Sequence, residues 1–396
     1  MKAQVAHKIE LKANQTQKTY FRKACGVSRF AWNWGLAHWV KQYEEGHRPS
    51  GMSLKKEFNQ IKRAQFPWTY EVTKYASQQP FLDLQDAWSR FFKKQAERPK
   101  FKKKGKSRDS FYVGGDQIKF DERRIWIPNL GWVRTREKLR FKGKINSVVV
   151  SRTADRWFVS VQVEADILVP QHEKQMPTGI DVGIIHLATL STGIIFEAPK
   201  PLKKLLRKLK RMNRELSKMQ KGSHRFEKQK LKLARLHARI ANIRRDHLNK
   251  ITTWIADHHS DIGLEDLNVQ GMMKNRKLSR AIADLGFYEF KRQLTYKLSW
   301  RGGKIHLFDR FYPSSKKCSN PDCERSKEEL SLSERTYSCE CGLTIDRDLN
   351  AARNLNPIPK VIREYTPGEM TALGKQAGLV FLTSIGESGI QPKVAC

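Results

Sequence analysis

The sequence predicts a multidomain α/β protein, with a small β-barrel and helices in its N-terminal half and a mixed sheet with crossover helices after it. Three patterns carry this reading. Short runs of alternating apolar and polar residues, separated by turn residues, fill 117–164, as half-buried antiparallel strands do. Earlier stretches repeat apolar residues at helical spacing instead. From 178 onward the order becomes β-hairpin, helices, β, α, β, α, which suits a mixed sheet. The 396 residues allow two or three domains and a sizeable core.

In chain order, "AQVAHKIELK" alternates like a strand. The following stretch, to about residue 46, reads as a helix with Phe21, Cys25, Phe30 and Trp34 along its apolar stripe, and Lys18, Arg22, Lys23 and Arg29 among them. A second helix covers "PFLDLQDAWSRFFKKQ", where Leu84, Trp88, Phe91 and Phe92 fall at i, i+4, i+7 and i+8. "ERPKFKKKGKSRDSF" breaks that pattern and reads as an exposed basic loop. Phe101, Phe111 and Tyr112 beside it are aromatics able to stack on bases. "RRIWIPNLGWV" and "SVVVSRTADRWFVSVQVEAD" look like hairpins, the second turning at "TADR", and "VPQHEKQMP" reads as a boundary. "TGIDVGIIHLATLSTGIIF" gives two strands joined at "STG". A long basic helical pair follows, broken at "KGSH", then strand "DIGLEDL", helix "GFYEFKRQLTYKLSWRG", strand "KIHLFDR", a cysteine segment and helix "DLNAARNL". The last forty residues are weakly patterned and read as a loosely held tail.

The formal charge is +36, from 76 Lys and Arg against 40 Asp and Glu. Such an excess repels itself unless a polyanion binds, and nucleic acid is the obvious one. Bulk basicity of a tail is excluded by a 39% hydrophobic content and 10 tryptophans. Residues 201–250 hold 18 Lys and Arg against 3 Asp and Glu. A run so one-sided points to binding rather than to a solvated arm. No run of eighteen apolar residues and no apolar leader segment is present, so no membrane span or secretory signal is expected. Six sparse cysteines fit a reducing cytoplasm.

Three carboxylates stand where burial is costly without a cation: Asp181 in "TGIDVGII", Glu265 in "DIGLED" and Asp348 in "DRDLNAARN". Acids from separate segments of one sheet can converge on two divalent ions, the arrangement that clamps both oxygens in phosphodiester hydrolysis. Magnesium suits carboxylate and water ligands. Each acid alone has a plainer explanation as a strand-end charge, Asp266 could equally cap a helix, and "GIDVG" alone also resembles the phosphate loop of actin-like ATPases. Asp346 and Asp348 are separable, since residues two apart point to different sides of a helix. Asp348 shares a face with Ala351, Ala352 and Leu355, small and apolar, so it points inward. Asp346 shares a more polar face with Leu349, Asn350 and Arg353 and suits the N-cap.

Cys318 and Cys323 in "CSNPDC" and Cys339 and Cys341 in "CEC" form two close pairs flanking a 15-residue loop. Four thiolates so arranged suggest one tetrahedral Zn²⁺, although four and one intervening residues depart from the usual spacing. Unligated buried thiols are the alternative.

Taken in order, "GIDVG", "LEDLNVQGM", "CSN…C…RTYSCECG" and "DRDLNAARNL" resemble TnpB, the transposon-encoded RNA-guided DNA endonuclease related to type V CRISPR nucleases. "GVSRFAWNWGLA" and "PKFKKKGKSRDSF" look like TnpB segments too, so the resemblance runs from about residue 5 to 355. It implies a wedge-like β-barrel from 1–14 and 110–170, interrupted by a helical recognition domain at 15–109. A RuvC-like nuclease domain of RNase H-like fold would cover 175–356, with a basic helical arm at 200–250 and a zinc-ribbon-like insertion at 314–343, and a flexible tail would fill 357–396. By motif match the catalytic, Mg²⁺-holding acids are Asp181, Glu265 and Asp348, with two Mg²⁺ per site and one structural Zn²⁺ on Cys318, Cys323, Cys339 and Cys341. Expected partners are a guide RNA from the transposon end and double-stranded target DNA beside a short adjacent motif. The protein would read nucleic-acid shape while base pairing reads the target. Lys100, Lys102, Lys103, Lys104, Lys106 and Arg108 in the loop, and Lys203, Lys204, Arg207 and Lys208 in the arm, are the expected contacts. A bacterial, cytoplasmic monomer, at the nucleoid when DNA-bound, is expected. The rivals are an RNA-guided DNA binder or repressor that does not cut, a transposase performing strand transfer, and an actin-like ATPase.

Overall fold

The computed structural model describes residues 2–166, 176–331 and 333–357 and the backbone of 393–394. The chain divides into two compact units, 1–168 and 169–396. The expected tail lies almost wholly outside the described residues, as does most of the expected boundary at 169–177. No described helix is long and apolar enough to cross a membrane.

The first unit runs β1 (Lys2–Lys12), α1 (Gln15–Glu44), α2 (Gly51–Gln65), α3 (Lys74–Phe92), β2 (Ser110–Gly114), β3 (Lys119–Asp121), β4 (Arg124–Ile127), β5 (Gly131–Thr135), β6 (Lys144–Thr153) and β7 (Arg156–Asp166). Asn14 starts α1 through a reciprocal capping box with Gln17. Helix α2 was not foreseen, because only Leu54 and Phe58 of its large apolar residues are fully buried. Helix α3 begins six residues before the expected "PFLDLQ" and carries Pro80 inside it. The β6–β7 hairpin turns at "TADR" as expected, with Ala154 at φ +54°.

The seven strands order as β2-β6-β7-β1-β5-β4-β3. This corrects the expected barrel: the two edge strands, β2 and β3, do not pair, so the sheet is open among the described residues. Strand β1 pairs with β7 from Lys2 to Leu11 but with β5 only at Leu11 and Lys12, leaving the β3–β5 ribbon attached at its end. Helix α1 fastens that ribbon to the other helices. The buried Tyr20 hydroxyl donates to the Pro128 carbonyl (2.7 Å) and accepts from the Thr73 backbone N–H (3.0 Å). Phe21 packs on Trp157 of the sheet, while Trp32, Leu36 and Trp39 further along α1 form a second core with Phe58, Phe81 and Trp88.

The second unit runs β8 (Thr178–Asp181), β9 (Ala188–Leu190), β10 (Ile194–Phe196), α4 (Pro201–Ser217), α5 (His224–His258), β11 (Asp261–Glu265), α6 (Val269–Lys274), α7 (Ser279–Leu285), α8 (Phe287–Ser299), β12 (Lys304–Phe308), β13 (Thr336–Ser338), β14 (Thr344–Asp346) and α9 (Arg347–Asn354). Its main sheet orders β12-β11-β8-β9-β10, with Lys393–Val394 pairing outside β10. Strands β8, β11 and β12 are parallel while β9 pairs antiparallel with both β8 and β10, the mixed sheet the sequence predicts. "TGIDVGIIHLATLSTGIIF" holds three strands rather than two, because β8 stops at Asp181 and a loop carries the chain to β9.

Ile180, Ile262 and Leu264 point into a core built with Ile251, Trp254 and Ile255 of α5 and Phe290 and Leu294 of α8. On the opposite face α9 lies directly on the strands. A Cβ at Gly179 would stand 1.9 Å from the Ala352 carbonyl oxygen, and one at Gly263 would stand 1.7 Å from that of Leu355. These two glycines are register partners across β8 and β11.

Gly179→Ala therefore drives a methyl into helix backbone and is expected to destabilise the protein by about 3 kcal/mol or more. Gly26→Ala, in the middle of α1 with open space around it, is expected to stabilise by about 0.5–1 kcal/mol. Urea unfolding of the two variants checks the opposite signs.

Candidate active site

Side chains alternate along a strand, so the residue two after each docking glycine faces α9 as well. In β8 that residue is Asp181 and in β11 it is Glu265. Ile180 pairs with Leu264, which sets the two acids beside each other at the C-terminal ends of neighbouring parallel strands. Asp348 arrives from above in the first turn of α9. Three sequence-distant carboxylates thus meet at one sheet edge, each half-buried.

Their electrostatics are those of like charges sharing a site. Burial, then Asp348, then Glu265 push the Asp181 carboxyl well above the usual range. Asp348 is also raised, by burial and then by Asp346, against the pull of Arg335. Ser314 donates its hydroxyl hydrogen bond to Glu265, and the Arg335 guanidinium stands 3.5 Å from Asp348. Arg347 beside Asp181, and Arg335, His186 and Arg347 beside Asp348, do not offset the crowding, since both carboxyls stay raised, and three such acids fit a divalent cation site. Their oxygens do not fall within the 4.8 Å spacing that the four thiols meet. A pair of ions about 3.5–4 Å apart draws on a wider ligand set than one ion does.

The neighbouring acids are otherwise engaged. Asp346 caps α9, accepting from the backbone N–H groups of Asp348 (2.9 Å) and Leu349 (3.0 Å), as its position predicts. The two sides of α9 do not differ as the sequence predicts: Leu349 and Asn350 are as buried as Ala351 and Ala352. Helix α9 is enclosed on both sides, and capping distinguishes the two acids rather than exposure of a face. Asp266 caps nothing: it pairs with Lys291 at 2.7 Å, while Asn268 caps α6. Glu265, Asp266, Lys291 and Arg310 line a cavity of about 310 Å³ beside the strand ends.

Cys318, Cys323, Cys339 and Cys341 converge with all four sulfurs within 4.8 Å. The Cys318–Cys341 and Cys323–Cys339 separations are both 3.7 Å, close to the ~3.8 Å edge of a tetrahedron with 2.3 Å Zn–S bonds. The uneven spacing is accommodated because the two strands of the β13–β14 hairpin bring "CEC" back beneath "CSNPDC". A backbone N–H at Leu343 holds the Cys341 thiol down to about 6, while burial pushes that of Cys318 up to about 12.

The expected nucleic-acid contacts are unequal. Lys103, Lys104 and Lys106 are exposed, as are Lys203, Lys204, Arg207 and Lys208 on α4. Lys102 is not available: its ammonium sits 3.7 Å over the Trp32 ring, and burial lowers its pKa. Lys100 pairs with Glu97, and Arg108 reaches the Ser151 hydroxyl. Phe111 is core, packed against Phe21, and Tyr112 is half-buried against Tyr75, so of the three aromatics only Phe101 is exposed. Asn33 explains the loop's shape, bonding both the N–H and the carbonyl of Lys102. Helices α4 and α5 pair through Leu205, Leu209, Met212, Leu236 and Ile240, leaving their charge outward.

A family model described as "Probable transposase" matches 158–276, a "Cas12f1-like, TNB domain" model matches 287–355, and a "Helix-turn-helix domain" model matches 1–48. "Putative RNA-guided DNA endonuclease InsQ" of Escherichia coli (strain K12) is 35% identical over 373 residues, spanning 90% of this chain and 92% of that protein. The chain belongs to the TnpB family. Another relative, "Putative RNA-guided DNA endonuclease" of Streptomyces pristinaespiralis, is 32% identical over 88% of each chain. "TnpB-like protein L79" of Acanthamoeba polyphaga mimivirus is 31% identical over 140 residues, 34% of this chain and 26% of that one. Among solved structures, "Cryo-EM structure of the Cas12f1-sgRNA-target DNA complex" has a TM-score of 0.34 at 15% identity, covering 91% of this chain and 100% of that one. In this TnpB-family chain the span matched as helix-turn-helix holds strand β1 and one continuous 30-residue helix.

Ser314, Asn350 and Asn354 escaped the sequence reading. The signal was present in "NAARN", whose two asparagines fall at i and i+4 on one helical face.

The raised Asp181 carboxyl has a consequence for pH. The metal-free folded chain holds that proton more tightly than the unfolded one, whose Asp titrates near about 3.9. Stability therefore falls as pH rises from that range through the raised value. Metal-free Asp181→Asn is expected to melt higher than wild type at pH 8, with the gain vanishing below about pH 4. Thermal melts across pH check this, and added Mg²⁺ should raise the wild type and leave the variant unmoved.

Proposed function

We propose that this chain is an RNA-guided, Mg²⁺-dependent DNA endonuclease that hydrolyses target DNA next to a short adjacent motif. The observation that carries the reading is the convergence of Asp181, Glu265 and Asp348 at one sheet edge, in a family whose relatives are named RNA-guided DNA endonucleases. The order of the second unit's sheet, with an antiparallel meander followed by parallel strands, supports an RNase H-like, RuvC-type domain at 175–356. We read 1–14 with 110–170 as the wedge-like part and 15–109 as the helical recognition part.

Asp181, in charge contact with both Asp348 and Glu265, would hold the ions together with those two carboxylates. When bound, two Mg²⁺ ions supply an activated water and counter-charge for the leaving oxygen. Asp181, Glu265 and Asp348 fix where the ions and the scissile phosphate stand. Ser314 and Arg335 hold the carboxylates of Glu265 and Asp348. The cysteine cluster is assigned one structural Zn²⁺. The exposed cations of α4 and of the 103–106 loop are assigned to backbone phosphates of guide RNA, derived from the transposon end, and of its duplex with target DNA.

The "Probable transposase" description favours one alternative, strand transfer, whose joined products separate it from hydrolysis.

Sequencing the RNA that copurifies with the chain identifies the guide. With that RNA, Mg²⁺ and a matching plasmid, the wild type is expected to cut. Asp181→Ala, Glu265→Ala and Asp348→Ala are each expected to lose on the order of 10³-fold or more in rate. Asp346→Ala should lose about 1 kcal/mol of stability as a missing cap and keep cutting within about tenfold. Wild-type rates in Asp348→Ala, with Asp346→Ala inactive, would overturn the assignment.

A further inference from the structure

Between the cysteine cluster and the carboxylates lies a loop, 314–319, with no helix or strand of its own. Its contacts run to both sites. Cys318 belongs to the thiol cluster. Asn350, two residues after Asp348 and fully buried, accepts from the Ser319 backbone N–H (3.0 Å) and donates to the Lys317 carbonyl (2.8 Å). One turn later, the Asn354 amide donates to the carbonyls of Lys317 (2.7 Å) and Ser314 (2.8 Å). Ser314, 2% exposed, gives its hydroxyl to Glu265. Thus one short loop is tied to a thiol, to the helix bearing Asp348 and to the carboxylate of Glu265.

A simpler account is that the two asparagines only pack the loop onto α9. Three details exceed it. The amides clasp the backbone on both flanks of Cys318, so the loop's register on α9 is set at the cysteine. Asn350 uses donor and acceptor together, which fixes its orientation as well as its position. The loop's other end finishes on a carboxylate of the candidate site and not on inert surface. A second link, Arg335 to Asp348, leaves the chain four residues before Cys339.

We infer that loop 314–319 makes the geometry of the carboxylate site depend on the state of the thiol cluster, with Asn350, Asn354 and Ser314 as positioning residues. This rests on the reading of Asp181, Glu265 and Asp348 as a divalent-cation site. Ligated cysteines fix the loop, the loop fixes Asp348 and Glu265, and divalent-ion affinity follows. Linkage makes the coupling reciprocal. Metal loss or oxidation at the thiols would then weaken ion binding through loop 314–319, without touching any of the three acids.

The test is Mn²⁺ binding to the purified full-length chain, read by electron paramagnetic resonance, with zinc content measured in parallel. Asn350→Ala and Asn354→Ala are expected to raise the Mn²⁺ Kd about 10-fold or more, the usual cost of removing partners behind metal ligands. Cys341→Ser should lose zinc and raise the Kd similarly. In an Asn350→Ala background the same cysteine change should add less than its full factor, because the link is already cut. Ser314→Ala removes one hydroxyl without a large cavity, so it reads the coupling even where an asparagine variant fails to fold by circular dichroism. Wild-type Mn²⁺ affinity in folded Ser314→Ala and asparagine variants, with Asp181→Ala unable to bind, would overturn the coupling alone. Undiminished Mn²⁺ binding in Asp181→Ala would instead overturn the carboxylate site on which it rests.

Discussion

At Gly179 and Gly263 the backbone of α9 sits closer to the sheet than any Cβ would allow. The two glycines lie side by side in parallel strands, so they form a flat strip on which a helix can rest carbonyl-down. Because strand side chains alternate, the same strip continues two residues later into Asp181 and Glu265. The contact that holds α9 down is thus the contact that brings Asp348 to the other acids. Ile180 and Leu264, one residue out of phase, anchor the strip from beneath through the α5 and α8 core.

Docking alone would be unfavourable, since it gathers negative charge at a half-buried edge. The raised Asp181 carboxyl is the record of that conflict. Under the proposed function a divalent cation would resolve it: a close-packed helix creates the crowding, and crowded carboxylates favour a cation. The chain's +36 charge would act at longer range, favouring a polyanion, and the exposed lysines and arginines of α4 present part of it at the surface.

Much of this was legible in the sequence because it rests on local chemistry. Asp346 as cap and the α4–α5 break at "KGSH" follow from residues within one or two turns of each other, and the mixed second sheet follows from the chain order of its strands and helices. What was missed depends on tertiary neighbours. Lys102 reads as a phosphate contact until Trp32 is placed beneath it. Phe111 reads as a stacking platform until Phe21 encloses it. The sheet of the first unit reads as a barrel because strand patterns carry no information on whether edge strands meet. Asn350 seemed a polar-face residue because its partners, Lys317 and Ser319, lie about thirty positions earlier. The Gly-x-acid pattern shared by "GID" and "GLE" was a readable sign of the docking strip.

The most direct measurement is the anomalous scattering of Mn²⁺ in crystals of the chain. The account predicts density bounded by the oxygens of Asp181, Glu265 and Asp348, separate from a zinc signal at the four cysteine sulfurs. Manganese found elsewhere, with those three carboxylates free of it at saturating concentration, would contradict it.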